Sequence, residues 1–598
     1  MLPFCIERHA LQTALHVHCF SPRLPVNQPT PAIVAQGSVR RLPRMALLLL
    51  CLAYILPGYI GREPWKNADI MAFGYMAELA RGGFNSLTAW LNPQIMGQPP
   101  EVDALLPYWL GAWAIQAAPD WIAPDFAARI PFGLMLALTL VATWYGVYNL
   151  ARSPGAQPVA FAFGGEALPA DYARAMADGG LLALIATLGL AQFSHETTPA
   201  LAQLCFVSFI YYGLAAMPSR GALPFLTFAT GLMGLTLSGG PSMALILGTG
   251  GTLLFWLDTP RPDDPAPHRG WWTAGLLMAT LAAAGLAWLL DLWQWRIAPP
   301  QATWREWRSI GRLFLWFTWP AWPLAIWTLW RWRRQLGQLR KHRHLALPLW
   351  FVLVATGTTL LTRASDRSLL LALPALATLA AFALPTLERS VSALIDWFTL
   401  LFFTSCAIII WVIWVSMQTG VPRQPAANVA KLAPGFEPSF SAIAFVVALA
   451  ATMAWVWLVK WRVGRHRAAI WKSLVLPAGG ATLCWLLLTT LWLPLLDYAR
   501  SYAPLVQRVA TVTGPTDCLQ VHGLNRAQIA AFKFHGKTAL RPAERQARCA
   551  WLIVDANDRT TLPQAVDIEK WDLKATVRRP TDRNETILVY RRIGQNRP

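Results

Sequence analysis

From residue 45 to residue 494 the chain alternates apolar runs with short polar turns. The runs lie near 45–61, 129–150, 179–194, 198–216, 222–238, 241–257, 271–291, 311–331, 345–362, 368–385, 396–416, 440–460 and 471–494. Each is close to the roughly twenty residues that a helix needs to cross a bilayer, the shorter ones requiring tilt or neighbours. The pattern therefore predicts an all-α polytopic membrane protein with about thirteen transmembrane helices. The segment 104–118 is too short to cross. With Pro107, Tyr108 and Trp109 near its start, it is expected as an interfacial helix on the outer surface.

After residue 494 the period changes. DCLQVHGL, CAWLIVDA and ETILVYRR alternate or run apolar like strands, and NRAQIAAFKFHG between them has helical spacing. A small extramembrane α/β domain is expected over 495–598. At the other end, residues 1–44 have no continuous apolar segment and finish in SVRRLPR. They are expected to be a disordered cytoplasmic lead into an uncleaved signal-anchor helix, with Met45 or an upstream codon as alternative starts. Residues 151–178 are read as a cytoplasmic loop whose PG and GG pairs are turn chemistry; no strand and Lys accompany them to make a phosphate loop.

Composition agrees with the pattern. Of 598 residues, 55% are hydrophobic, only 14% are charged and 32 are Trp, and indoles settle at membrane interfaces. The formal charge of +20 would suit nucleic acid if it formed a footprint. Instead it sits in loops such as RWRRQLGQLRKHRH (331–344) and KWRVGRHRAAIWK (460–472), which the positive-inside rule places in the cytoplasm with the N-terminus. Nucleic acid is excluded as a partner on that ground, and membrane lipids are expected. Walking outward from those anchors puts the first loop 62–128, the turn at 195–196, residues 363–367, the loop 417–439 and the C-terminal domain on one external side. Cys51, Cys205, Cys406 and Cys484 sit alone in apolar runs as small core residues. Cys518 and Cys549 lie in the polar tail, where a disulfide would require an oxidising compartment.

Candidate chemistry gathers on that external side. The first loop carries Arg62, Glu63, Lys66, Asp69 and Asp103, and the turn SHETTP carries His195 and Glu196. A carboxylate at the membrane face can act as general base toward an acceptor hydroxyl or amine if its surroundings tune its pKa. A helix dipole alone also explains an acid at a helix start, and Glu196 beside Thr197, Thr198 and Pro199 is equally a plain cap. Arg363 and Arg367 could hold a lipid-linked phosphate through forked hydrogen bonds, or simply attract headgroups.

GREPWKNADIMAFGYMAELARGG, NPQIMGQPP, LPYWLGA and RIPFGLMLALTL, followed later by RASDRSLLLALPALATLA, resemble the first periplasmic loop, second span and later helix of GT-C glycosyltransferases. The resemblance is to the bacterial relatives of the lipid A aminoarabinose transferase and the protein O-mannosyltransferases, through short motifs over most of residues 45–385. It implies an enzyme of the bacterial inner membrane. Such an enzyme would pass a sugar, with inversion, from a polyprenyl-phosphate donor to a lipid, glycan or protein acceptor on the periplasmic face.

By the same resemblance Asp69 is the expected base, with Glu63 as substitute and Glu196 at a second acidic site. Arg62, Lys66, Arg363 and Arg367 would hold phosphate. Asp103, Tyr108 and Trp109 complete the substrate contacts the resemblance implies, and Asp103 is a candidate ligand for a divalent metal. His195 has no counterpart in the family and is expected as a substrate contact because it is an ionisable residue at the membrane face. Three positions depart from the family pattern. Ala68 replaces the first acid of an Asp-Glu pair, Ala104 a Lys, and Ser368 a Tyr. Those departures keep an inactive scaffold open as an alternative, beside a transporter or flippase of a lipid-linked substrate.

Overall fold

The computed structural model describes residues 30–594 apart from 84–85, 259–268, 294–297, 302, 363–365, 464–468 and 547. Among the described residues, eight helices are long and apolar enough to cross a membrane: Pro124–Ala151, Pro199–Ser219, Arg269–Leu289, Arg343–Leu361, Arg367–Thr386, Arg389–Thr419, Ala442–Arg462 and Ile470–Thr490. Three shorter apolar helices, Arg44–Gly58, Ala222–Leu237 and Pro241–Leu257, answer to the predicted runs at 45–61, 222–238 and 241–257.

Two of the predicted runs are interrupted. That at 179–194 becomes the helix Pro169–Ala186 and the short helix Leu188–Phe193, parted at Thr187. That at 311–331 becomes Trp304–Phe317 and Ala321–Arg331, parted at Trp319 and Pro320, because proline lacks the donor a continuous helix needs there. Arg305, Arg308 and Arg312 share one exposed face of the first piece, whose buried residues are Ile310 and Phe317. That is the pattern of a surface helix rather than of a span. The segment 104–118 is indeed a single short helix, Leu106–Ala117.

Packing divides the helices into centre and rim. Leu373–Ala383 is buried at every residue. By contrast Arg389–Thr419 and Ala442–Val463 turn Ile408, Ile409, Val446 and Val456 outward, which is affordable only against lipid. At the N-terminal end, residues 32–36 run beside 159–167, with Val159 N–H donating to Ala32 O at 2.9 Å and Ala167 N–H to Val34 O at 3.0 Å. This part of the predicted lead is therefore paired; its residues 1–29 lie outside the described residues.

The C-terminal part is a five-stranded sheet in the order β2-β1-β3-β5-β4. Its strands are β1 Cys518–His522, β2 Ala539–Pro542, β3 Trp551–Asp555, β4 Trp571–Arg579 and β5 Asp582–Arg592. β1 is parallel to β2 and β3, while β5 is antiparallel to β3 and β4. Three strands and the helix Arg526–His535 fall on the predicted segments. β2 and β4 are edge strands whose short length or many charges hide the alternation. A capping box between Asn525 and Gln528 starts the helix. A disulfide joins Cys518 to Cys549.

The sheet domain is docked on the first loop. Its helix Arg526–His535 lies against the loop helix Ala68–Gly82, with Phe73 and Phe534 centroids 4.8 Å apart. A Cβ on Gly74 would overlap Ala530, so glycine permits this close approach. Lys533 reaches Glu78 at 2.7 Å. The turn between β4 and β5 then grips the short helix Leu493–Arg500, Arg579 and Thr581 both donating to Ala499 O.

Candidate active site

Asp69 stands in the first turn of the helix Ala68–Gly82, where the helix dipole favours an acid. It is fully buried and both oxygens are occupied. Oδ2 accepts from Arg62 Nη2 at 2.8 Å and Trp65 N–H at 3.1 Å. Oδ1 accepts from Thr197 N–H at 2.8 Å and Thr197 Oγ1 at 2.6 Å. Burial alone would raise its pKa, but Arg62, Arg129 and the two Thr197 bonds together hold it below its ordinary value. Arg62 Nη2 also donates to His195 O at 2.7 Å. Asp69 and Arg62 thus fasten the first loop to the 195–197 turn.

The guanidinium of Arg62 is buried, yet its Nε and Nη1 have no hydrogen-bond acceptor among the described residues. Arg129, buried in the helix Pro124–Ala151, is close enough to act electrostatically on both Arg62 and Asp69. Its Nη2 comes within 3.1 Å of Asp125 Oδ2 but makes no well-directed hydrogen bond. Unmet charged donors in a buried place are costly, on the order of 1–3 kcal/mol each or more. An anion between them would remove that cost.

Trp65 is the hinge of the arrangement. Arg62 lies 4.6 Å and Arg500 5.2 Å from the centroid of its ring, within cation–π range. Its backbone N–H goes to Asp69, while its indole Nε1–H donates to Asp497 Oδ1 at 2.7 Å. Glu63 N–H donates to the same oxygen at 3.3 Å. Asp497 Oδ2 accepts no hydrogen bond among the described residues.

Glu196 is buried beside the same turn, its Oε2 accepting from Arg367 Nη2 at 2.7 Å and Nε at 3.1 Å. Burial raises its pKa, against the pull of Arg367. His195 is wholly buried among Tyr54, Tyr59 and Trp485, and a Cβ on Gly58 would overlap its ring. Burial, with Arg62 adding to it, lowers its pKa to about 4. Both ring nitrogens face carbonyls, Nδ1 that of Ala191 at 2.5 Å and Nε2 those of Tyr54 and Ile55 at 3.1 Å each. Its side chain braces the first membrane helix instead of facing a substrate.

The other expected residues are placed apart or already engaged. Lys66 Nζ reaches Asp582 at 2.6 Å and Glu585 at 3.8 Å in the sheet domain. Tyr108 is buried against Tyr75, two turns further along the loop helix, at 5.4 Å. Trp109 Nε1 donates to Trp90 O at 2.8 Å. Asp103 lies beside the 237–239 turn, where Leu105 N–H donates to Leu237 O at 2.8 Å. No three His, Cys, Asp or Glu side chains come together as a metal site needs, among the described residues. The donor set among the described residues therefore does not fit a resident metal. Arg363 lies outside the described residues.

Besides Trp65 and Thr197, three charged residues of the site stand outside the expectations from sequence: Arg129, Asp497 and Arg500. Arg129 carried a readable signal, an arginine inside an apolar helix. Asp497 and Arg500 sit in LPLLDYAR, where the apolar run ends and polar residues are expected anyway.

No protein-family model matches the chain, and no curated protein matches it in sequence. Among solved structures it is similar to ArnT from Cupriavidus metallidurans bound to undecaprenyl phosphate. The identity is 13%, the TM-score 0.57, and the match covers 93% of this chain and 100% of that one. The chain has the GT-C fold of ArnT. ArnT from the same organism in the apo state agrees at 12% identity, with a TM-score of 0.52 and coverage of 91% of this chain and 96% of that one. The GT-C resemblance of the first loop thus extends, as a fold, through the sheet domain.

Proposed function

We propose that the chain is a membrane glycosyltransferase that takes a sugar from a polyprenyl-phosphate donor. The observation that carries this reading is the pair of buried guanidiniums, Arg62 and Arg129, whose unmet donors lie around Asp69 in a fold whose solved relative is bound to undecaprenyl phosphate. Arginine is suited to phosphate, being always charged and presenting several N–H groups in one plane. Phosphate leaves readily once its developing charge is stabilised, so the cradle supplies the main catalytic effect. Arg500, also within 5.2 Å of the Trp65 ring centroid, adds to the cationic surroundings.

In this reading Asp69 orients Arg62 and takes no proton, because both oxygens are occupied and its pKa is depressed. Glu196 likewise holds Arg367. Of the three carboxylates expected as catalytic, Glu63 is the one left half-buried, close enough to Asp497 of the helix Leu493–Arg500 to act on it electrostatically. The acceptor is a lipid, glycan or protein nucleophile on the periplasmic side. External placement of the sheet domain is supported by the Cys518–Cys549 disulfide and by the cationic loop 331–344 as the opposite face.

The test is sugar transfer in membranes supplied with radiolabelled polyprenyl-phosphate sugars. The native chain transfers label, and Arg62→Gln and Arg129→Gln lose transfer at matched expression. Movement of the intact donor across the bilayer without transfer would favour a flippase. Neither activity, with any donor, would leave a scaffold.

A further inference from the structure

Among the carboxylates around Trp65, one has the geometry of a proton acceptor, and it belongs to the helix that joins the membrane helices to the sheet domain. We propose that Asp497 is the catalytic base of the transfer, its Oδ2 taking the acceptor's proton while the Trp65 indole and the Glu63 amide hold Oδ1. The inference rests on the glycosyl-transfer reading above and names the base of that same site.

Three observations converge on it. Asp497 has a split environment, both of its hydrogen bonds falling on Oδ1, so Oδ2 keeps its lone pairs for a nucleophile. It shares Trp65 with Asp69, which fixes it within one indole of Arg62, and it acts electrostatically on Arg129. Its helix is clamped from two sides, by Arg579 and Thr581 on Ala499 O and by Lys66 N–H on Arg500 O at 2.8 Å. A base so held stays in place while a substrate moves.

The electrostatics suit the task. Burial, with the nearby Glu63 charge adding to it, raises the Asp497 pKa to about 7, against the Trp65 bond and Arg62. The charged groups facing it are Glu63 and Arg62 on the first loop and Arg129 on the helix Pro124–Ala151; Arg500 on its own helix acts on Glu196 and Arg62, and His535 of the sheet domain faces Glu63. A base near neutrality accepts a proton in the transition state and returns it to water afterwards. The acceptor oxygen bonds to the anomeric carbon as the bond from that carbon to the donor phosphate oxygen breaks. The electron pair leaves with the phosphate, and the acceptor's proton passes to Asp497 Oδ2. No other reactant is needed.

The experiment is the pH profile of kcat/KM for sugar transfer from radiolabelled polyprenyl-phosphate donors by the full-length protein, with melting curves for each variant. The native profile rises with pH through a midpoint near the Asp497 pKa of about 7. Glu63→Gln removes a like charge and shifts the midpoint down by about one unit. Trp65→Phe removes a hydrogen bond to the charged form and shifts it up. Asp497→Asn lowers kcat by at least about 100-fold while still melting in one cooperative transition no lower than native. A midpoint unmoved by Glu63→Gln and Trp65→Phe, or an Asp497→Asn protein that keeps native kcat, overturns the assignment while leaving a glycosyltransferase. If Asp497→Asn does not fold, the two opposed shifts decide alone. A native chain that transfers nothing overturns both readings.

Discussion

Asp69 and Asp497 are hydrogen-bonded to the same tryptophan, and they teach opposite lessons about a buried acid. Asp69 takes the backbone N–H of Trp65 and fills its remaining capacity with Arg62 and Thr197. Asp497 takes the indole N–H and leaves one oxygen without a protein partner among the described residues. The surroundings lower one pKa and raise the other. A saturated carboxylate holds structure and a half-saturated one is available for chemistry, a distinction set by donors that lie up to hundreds of residues away.

The contrast breaks most directly at Asp69. In Asp69→Asn the Arg62 charge is left buried without its counterion, which costs about 3–5 kcal/mol. The melting midpoint in detergent is expected to fall steeply, and an unchanged midpoint would remove the structural role. The same carboxylate sets a pH limit. Its folded pKa lies below the unfolded value, so its contribution is fully present above the ordinary carboxylate range and is lost as pH falls through the folded pKa. Acid melts of the native protein should show that loss, and Asp69→Asn should lack it.

Arg129→Gln separates binding from folding. Transfer should drop on the order of 100-fold, as removing one donor to a developing oxyanion does. The melting midpoint should stay close to native, because Asp125 is partly solvated. A large fall in stability with native turnover would place Arg129 outside the phosphate site. Glu196→Gln is expected to cost less, about 1–2 kcal/mol, since Arg367 is 35% exposed and recovers water. Equal destabilisation by Glu196→Gln and Asp69→Asn would show that the two buried acids are equivalent.

Asp497 reverses the pH sign. Its raised folded pKa means that the folded state binds the extra proton, so stability falls as pH rises from the carboxylate range through about 7. Asp497→Asn should therefore melt higher than native at pH 8 and close to native at pH 5. Smallest of all is Lys66→Met. Its ion pair with Asp582 is about 30% exposed on both sides, so the expected loss is below about 1 kcal/mol, with transfer near native. Abolished transfer would mean that the β4–β5 turn releases Lys66 to the donor.

The membrane architecture was legible because apolar length and cationic loops are local properties. Helix Leu373–Ala383 could be read from its own residues. The break at Trp319 and Pro320 was written in the sequence too, but the surrounding apolar run outweighed it. Among the site residues, Arg62, Asp69 and Glu196 were chosen by position and motif, and the structure does bring them to one turn. Their partners could not be read, because Thr197 and His195 O meet the first loop only after folding across more than 120 positions. Asp497 was invisible for the same reason: it lies 432 positions from the indole that defines it. Lys66 shows the converse, a residue with the right charge whose partner, Asp582, comes from a hairpin with no family motif.

The account stands or falls on the cationic cradle beside Trp65. The most direct measurement is transfer of radiolabel from polyprenyl-phosphate sugars by purified native protein and by Arg129→Gln of equal melting midpoint. The account predicts transfer by the native chain and its loss in the variant. Equal transfer by the two proteins, or none by the native chain with any donor, would contradict it.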